Sequence, residues 1–218
     1  MAISRQSSGN GVAGSAALSG SWNAGDVIIL NLENSGGTTV PSTPSGYTSI
    51  SSGTEATGGS AMRVVYKVAV GGDTMPTLTN CTTVSWAIYA GVNTTTPAVQ
   101  TAGQAANSNS MSASGVVSYQ NPGVDWVVIV ATGKGITGNI GSHPNNSMTL
   151  VTEYKSGSDN NAFFDSNAPL SSYSFNSKTL DATVSWITKT FELVAATSVF
   201  VARKNPMPRQ AVNRAATY

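Results

Sequence analysis

Two series of apolar, strand-like segments follow one another in the same order along this chain. The first begins with AGDVIILNLEN and ends with TTVSWAIYAGV, and the second begins with VDWVVIVAT and ends with TLDATVSWITKTFELV. TVSW recurs after 100 residues, and Asp125 follows Asp26 after 99. Turns rich in Gly, Pro and Asn separate the segments, and no long stretch has helical periodicity. The duplication predicts an all-β protein with two similar halves.

Two strand patterns indicate where the core lies. VIILNL is an apolar run broken only at Asn31, and the lack of alternation indicates a strand covered on both faces. TTVSWAIYAGV places four residues on one face: Val84, Trp86, Ile88 and Ala90. We expect that face to point inward, with the recurring tryptophans filling the space between two sheets.

A half with only one buried face cannot form a core alone, so the two series should form a single domain. We expect a two-sheet, jelly-roll-like sandwich of paired Greek keys over residues 24–202, with extended terminal arms. Its two strand series span about 24–92 and 123–194. Residues 1–23 should be an N-terminal arm or an edge strand, and the polar stretch 93–110 a long crossing between strands.

The C-terminal segment 203–218 is basic. It carries four cations and no acid, whereas residues 1–202 carry 7 basic and 10 acidic residues. Two prolines remove backbone donors, so the segment should be an extended arm. We assign partner contacts to five of its residues: Arg203, Lys204, Arg209, Arg214 and Tyr218. The charges suit an acidic protein neighbour, and a solvated terminus would carry them equally well. Without interleaved aromatic residues, nucleic acid is not the expected partner.

The composition excludes several kinds of chemistry. Only 10% of residues are charged, and Cys81 and His143 are the single residues of their types. An internal disulfide, a cysteine-based zinc site and a site with two histidines are therefore excluded. We expect Cys81 to be a core or near-core thiol. The sequence shows no signal peptide and no apolar run of membrane-spanning length, so no membrane partner is expected.

Two motifs suggest ligands but have simpler interpretations. GKGITG satisfies G-x-G-x-x-G after a strand, yet the next residues, NIGSHPNNS, cannot begin the helix that a dinucleotide site needs. We interpret it as a loop in which glycine supplies a positive φ. SGSDNNAFFD offers oxygen ligands for calcium without the order of an EF-hand, so calcium there is a hypothesis. No metal or other cofactor is expected overall.

The aspartates at the two matching strand starts have a structural interpretation. Asp26 and Asp125 precede the first strand of each series, where an aspartate commonly accepts hydrogen bonds from turn amides. No other carboxylate pair stands out as a general acid and base. We therefore do not expect an enzyme.

The strings AGDVIILNLEN, PSGYTSISSGT, AMRVVYKVAVGGDTMPTLT and TVSWAIYAGV resemble a β-sandwich module in virion proteins of tailed bacteriophages and related prophages. The resemblance covers about residues 24–92 and is weaker from 123 onward. It implies a structural virion protein, usually a trimer, that is assembled in the host cytoplasm. Such proteins are decoration (cement) proteins that bind the major capsid protein, or tail accessory proteins. The resemblance brings no catalytic residues.

A different class of function stays open beside this one. A tail or baseplate adhesin would bind a host glycan or surface protein through its loops. Trp22, Tyr47 or the loop 133–147 could then supply aromatic and amide contacts.

Overall fold

The computed structural model describes residues 1–197 except 56, 58, 114–120, 141–147 and 171–177. The described residues form ten β-strands in two antiparallel sheets. The first sheet contains β1 (Ser4–Val12), β2 (Val27–Ser35), β3 (Thr48–Glu55), β4 (Ser60–Val68) and β5 (Thr83–Ala90). The second contains β6 (Ala98–Met111), β7 (Trp126–Lys134), β8 (Thr149–Ser156), β9 (Asp159–Asp165) and β10 (Lys178–Leu193). Nowhere in the described chain is there a helix with the length and apolar character needed to cross a bilayer.

Each strand series completes a sheet of its own. The first sheet has the order β1-β5-β2-β4-β3 and the second the corresponding order β6-β10-β7-β9-β8. The all-β, two-sheet sandwich is therefore confirmed. The connectivity differs from paired Greek keys, because the strands of one series do not enter the sheet of the other.

The duplication extends to the pairing register. Ile29 lies opposite Tyr66 in the first sheet, and Val128 lies opposite Asp165 in the second. The interval is 99 residues on both strands, as it is between the two strand-start aspartates. The hairpins β3–β4 and β8–β9 also share a register shift, which falls at Ile50 in one and at Val151 in the other. The halves are thus equivalent residue by residue in these strands.

The recurrence of TVSW, by contrast, is out of structural register. Trp86 lies opposite Leu30, whose counterpart in β7 is Ile129. Ile129 lies opposite Thr190, four residues beyond Trp186. Both copies of TVSW lie in the last strand of their sheet, but at different heights along it.

The two sheets pack face to face. β2 faces β7, while β1 faces β8 and β3 faces β6. The inner faces supply one core, in which the rings of Tyr89 and Trp126 meet edge to face with centroids 6.1 Å apart. Both strand series contribute side chains to this core, among them Val27, Ile29, Met62, Val64, Ala87, Val128, Val130, Phe163, Phe191 and Leu193.

Both sheets are also buried on their outer faces, beneath loops. Val84, Trp86 and Ile88 belong to a cluster on the outer face of the first sheet, and Trp186 to one on the outer face of the second. The expectation that these residues fill the space between the sheets is wrong. Alternation places Ala87 and Tyr89 there instead. The face was predicted to be buried, and it is, but loops cover it.

Two edge strands lie where the sequence looked least strand-like. Within residues 1–23, β1 is an edge strand that pairs with β5. The stretch 93–110, expected as a crossing loop, contains most of β6, which pairs with β10. An edge strand buries little of its surface, so a run of Ala, Gln, Asn and Ser can form one without an apolar pattern.

Candidate functional site

The residues predicted to contact a partner lie beyond the described part of the chain. These are Arg203, Lys204, Arg209, Arg214 and Tyr218. His143 also lies outside it. The described residues instead place their densest group of polar side chains between the two sheets.

One end of the space between the sheets is polar. Inward-facing positions of β2 change from Val27 and Ile29 to Asn31, Glu33 and Ser35 along the strand. The facing strands change in the same direction. We call this region the polar end, and it comprises Asn31, Glu33, Ser35, Ser60, Thr83, Ser85, Thr132, Lys134, Asp159 and Asn161.

A pair of buried amides joins the sheets at the polar end. Asn31 Nδ2 donates to Asn161 Oδ1 over 2.8 Å, and Asn161 Nδ2 donates to the backbone carbonyl of Asn31 over 3.2 Å. Ser85 Oγ also donates to Asn161 Oδ1, over 2.5 Å. Both asparagines are fully buried. Their hydrogen bonds offset the cost of removing polar groups from water and fix one alignment of the sheets.

Glu33 is the most unusual group at the polar end. Its side chain is completely buried, and Thr83 Oγ1 donates to its Oε2 over 2.6 Å. Oε1 has no hydrogen-bond partner among the described residues. The pKa of Glu33 is raised to about 8, mainly by burial, with a smaller contribution from the nearby Asp159, while the bond from Thr83 and the charge of Lys134 oppose the rise. Glu33 is therefore predominantly protonated at pH 7.

The polar end meets solvent at an ion pair. Lys134 Nζ donates to Asp159 Oδ1 over 2.8 Å, and Ser35 Oγ donates to the same oxygen over 2.6 Å. The two charged side chains are 35% and 27% exposed. Burial acts to raise the pKa of Asp159, but the bonds from Lys134 and Ser35 hold it below its usual value. Lys134 and Asp159 thus close the polar end as a charged rim.

The sequence contains a signal for the polar end, although the polar end was not among the predicted sites. Asn31 was recognised as an interruption of an apolar run, and Glu33 follows it two residues later. Because a strand covered on both faces buries every side chain, polar residues inside it must be buried too. What the sequence could not supply is the partner, Asn161, which lies 130 residues away.

A second buried carboxyl group lies on the opposite side of the apolar core. Arg5 of β1 reaches across to Asp165 of β9, with Nη1 and Oδ2 2.6 Å apart. Tyr89 OH donates to the same oxygen over 2.9 Å, and the Asn167 amide donates to Oδ1 over 3.0 Å. Asp165 is completely buried and fully bonded. Its arrangement is that of a structural clamp between the sheets.

The oxygen-rich run expected as a possible calcium site does not converge on a point. Asp159 and Asp165 stand at opposite ends of β9, roughly 20 Å apart at the rise of an extended strand. Asn160 points to the face opposite its neighbours and donates to the Gly138 carbonyl. The described residues contain no group of three His, Cys, Asp or Glu side chains that could hold a metal ion. The described geometry does not support calcium binding here.

The GKGITG loop is held by side chains of this protein. Gly135 has φ +93°, as the loop interpretation expects, and its amide donates to the Ser158 carbonyl. The Gly138 amide donates to Asp181 Oδ2 over 2.8 Å. Lys155 Nζ donates to the Gly138 carbonyl over 3.0 Å. The Gly138 amide, which a bound phosphate would need as a donor, is thus already bonded to the Asp181 carboxylate. Residues 136–140 also form no helix.

Of the two strand-start aspartates, Asp26 bonds a turn amide as predicted, whereas Asp125 bonds the amide of a distant residue just beyond β10. The Asn23 amide donates to Asp26 Oδ2 over 2.8 Å, and the Ala195 amide donates to Asp125 Oδ1 over 2.7 Å. Cys81 is half-buried, and burial raises its thiol pKa to about 12. It is a near-core thiol, as expected, and burial disfavours its reactive thiolate form.

The aromatic residues suggested for glycan contacts pack inward. Trp22 and Tyr47 lie against the outer cluster of the first sheet, and their Nε1 and OH atoms are buried. Lys67 Nζ lies 5.9 Å from the Tyr47 ring centre. Neither ring is an open stacking platform.

A cleft of about 670 Å³ lies at the end of the sandwich opposite the polar end. It is formed where β2 begins and β5 ends, and residues of the connection to the second sheet line it. Asn93 Oδ1 accepts hydrogen bonds from the backbone amides of Thr95 and Thr96, and these bonds hold the connection in a turn at the edge of the cleft. Other lining residues are Asp26, Gly91 and Thr94. The cleft offers hydroxyls and backbone groups with a single carboxylate.

The protein is thus an all-β, two-sheet sandwich, and its largest group of buried polar side chains lies between the sheets at the polar end. Comparison with protein-family models, with curated proteins and with solved structures finds no match in any of the three. What the protein does must therefore be argued from its own residues and geometry.

Proposed function

We propose that this protein is a structural component of a tailed-phage virion, a capsid decoration protein that binds the major capsid protein and stabilises the head shell. In this proposal it acts in the virion as a homo-oligomer, a trimer. Its C-terminal arm latches onto neighbouring subunits.

The observation that carries the proposal is the placement of the resembling segment. Residues 24–92, which resemble virion modules, correspond to β2–β5, four of the five strands of the first sheet. The resemblance thus coincides with a continuous folded unit that includes β2, the strand buried on both faces. A resemblance confined to loops would say little about a shared fold.

The use of charge supports a structural role. Three cations of the described chain are in ion pairs within the protein: Arg5 with Asp165, Lys67 with Asp73, and Lys134 with Asp159. The clearest buried acid, Glu33, is sealed between the sheets away from the cleft. Catalysis by a carboxyl needs access to substrate, which Glu33 in this state lacks.

The test is binding to purified heads that lack this protein. We expect the full chain to saturate such heads, and a chain ending at residue 202 to fold normally without binding. A control of full length, with Arg203, Lys204, Arg209 and Arg214 changed to Gln, separates charge from length. Circular dichroism should be the same for all three proteins. Unchanged affinity of the truncated chain would exclude the arm as the contact.

One observation favours a second function, that of a tail adhesin. The cleft of about 670 Å³ carries threonine hydroxyls that could bind a polar ligand such as a glycan. Gold-labelled protein imaged on intact particles decides between the two. Label on the head supports decoration, whereas label on the tail together with glycan-array binding supports the adhesin.

A further inference from the structure

The interior of the polar end has unmet hydrogen-bonding capacity. Glu33 Oε1, Thr132 Oγ1, Ser60 Oγ and Asn31 Oδ1 are all buried without a partner among the described residues. All four belong to inward-facing positions of β2, β4 or β7. A buried polar atom without a partner favours any state in which water reaches it. The polar end is thus the part of the interface that gains most from opening.

No charged side chain forms an ion pair with Glu33 among the described residues. Lys134 of β7 and Asp159 of β9 face it across the interface, where Lys134 lowers its pKa and Asp159 raises it. Glu55 of β3 lies on the same row as Ser60, and its Oε1 accepts the Thr57 amide. From β5, Thr83 presents only a hydroxyl. An ionised Glu33 would therefore be a buried charge with one hydrogen bond, which is costly.

We propose that the polar end is a proton-dependent latch: a protonated Glu33 keeps the sheets closed there, and loss of this proton opens the surrounding strand ends to water. The apolar part of the interface stays closed throughout. This inference concerns the fold itself and is independent of the proposed virion role.

The direction of the pH effect follows from the two states of Glu33. In the closed state its pKa is raised to about 8, and in a water-exposed state it has the ordinary value of 4.5. Between these values opening releases a proton, so the population of the open state rises about tenfold per pH unit. Below 4.5 and above about 8 both states bind the same number of protons, and the dependence disappears.

Native-state amide hydrogen exchange tests the latch. Protection factors of Asn31 and Thr132, at the polar end, are compared with those of Ile29 and Val128, in the apolar core, from pH 5 to 8. We expect polar-end protection to lie below core protection and to fall about tenfold per pH unit in the wild type. Core protection that reports global unfolding falls with the same slope, because unfolding also exposes Glu33. In Glu33→Gln, which cannot ionise, polar-end protection should be independent of pH over this range.

Two further variants keep the result interpretable. Glu33→Met is a second non-ionising side chain, in case the glutamine variant folds poorly. Asp159→Asn removes the neighbouring carboxylate but retains Glu33, so it should keep the wild-type pH dependence. The proposal is overturned if polar-end protection in the wild type is independent of pH, falls equally in the Glu33 variants, or equals core protection at every pH.

Discussion

The buried amides Asn31 and Asn161 show how single residues set the alignment of the two sheets. Shifting β2 by one residue would replace Asn31 by a leucine and leave Asn161 without its donor. The apolar run around Asn31 indicated a strand covered on both faces, and burial of Asn31 follows from that pattern. Its partner could not be predicted, because a cross-sheet contact depends on how the halves pack and not on local pattern.

Trp86 is the residue for which the outer cluster makes the clearest stability prediction. Its side chain is 1% exposed, and β1 crosses it so closely that a Cβ on Gly9 would lie 2.6 Å from the ring. We expect Trp86→Ala to lower the free energy of unfolding by about 3 to 5 kcal/mol, through lost burial and a residual cavity. Urea denaturation measures the change.

Val70→Ala is the matched control for that measurement. Val70 is 72% exposed, so its truncation should change the free energy of unfolding by less than about 0.5 kcal/mol. A loss below about 1 kcal/mol for Trp86→Ala would mean that the loops do not hold the outer cluster closed in solution.

Among the elements, strands with strong burial were predictable and edge strands were not. β2, β4 and β5 carry apolar runs or alternation, since each has at least one fully covered face. β6 is mostly exposed, and nothing in its composition requires a strand. Its position follows from pairing with β10, a non-local contact that local pattern does not encode.

The turn that ends β5 makes a prediction at this scale. Gly91 has φ +73°, and a Cβ there would lie 2.1 Å from the Ala2 carbonyl oxygen. Gly91→Ala should therefore combine backbone strain with a clash against the chain preceding β1. We expect a loss of more than about 2 kcal/mol in thermal or urea unfolding.

Gly71→Ala separates the two causes. Gly71 has a similar φ of +88°, but no atom lies within 4 Å of the added Cβ. Its cost should be the backbone term alone, about 1 kcal/mol. Equal losses at the two positions would show that the contact between Gly91 and Ala2 is not maintained in solution.

For the whole molecule, the duplicated series correctly predicted an all-β sandwich but not how the chain divides between its sheets. Repetition in sequence indicates two equivalent units, but it does not show whether each unit forms one sheet or contributes strands to both. Here each unit builds one sheet. The polar end was missed because it exists only where two units meet.

The first unit alone should not be a stable monomer. Residues 1–92 would expose an inner face that includes Val27, Ile29, Met62 and Val64, all fully buried in the complete chain. We expect no cooperative thermal transition from monomeric 1–92, and recovery of one when it is mixed with 93–218. Sedimentation monitors the assembly state. A sharp transition in monomeric 1–92 would show that one sheet suffices.

The facing of the sheets resembles that of two identical subunits about a twofold axis, with β2 opposite β7 and each edge strand opposite the counterpart of the other edge. In such an isologous dimer every interface residue would occur twice. Here the counterparts of Asn31 and Asn161 are Val130 and Met62, which lie in the apolar core. Joining the units in one chain therefore allows the interface to be asymmetric, with its cluster of polar side chains concentrated at one end, which a symmetric pair could not have.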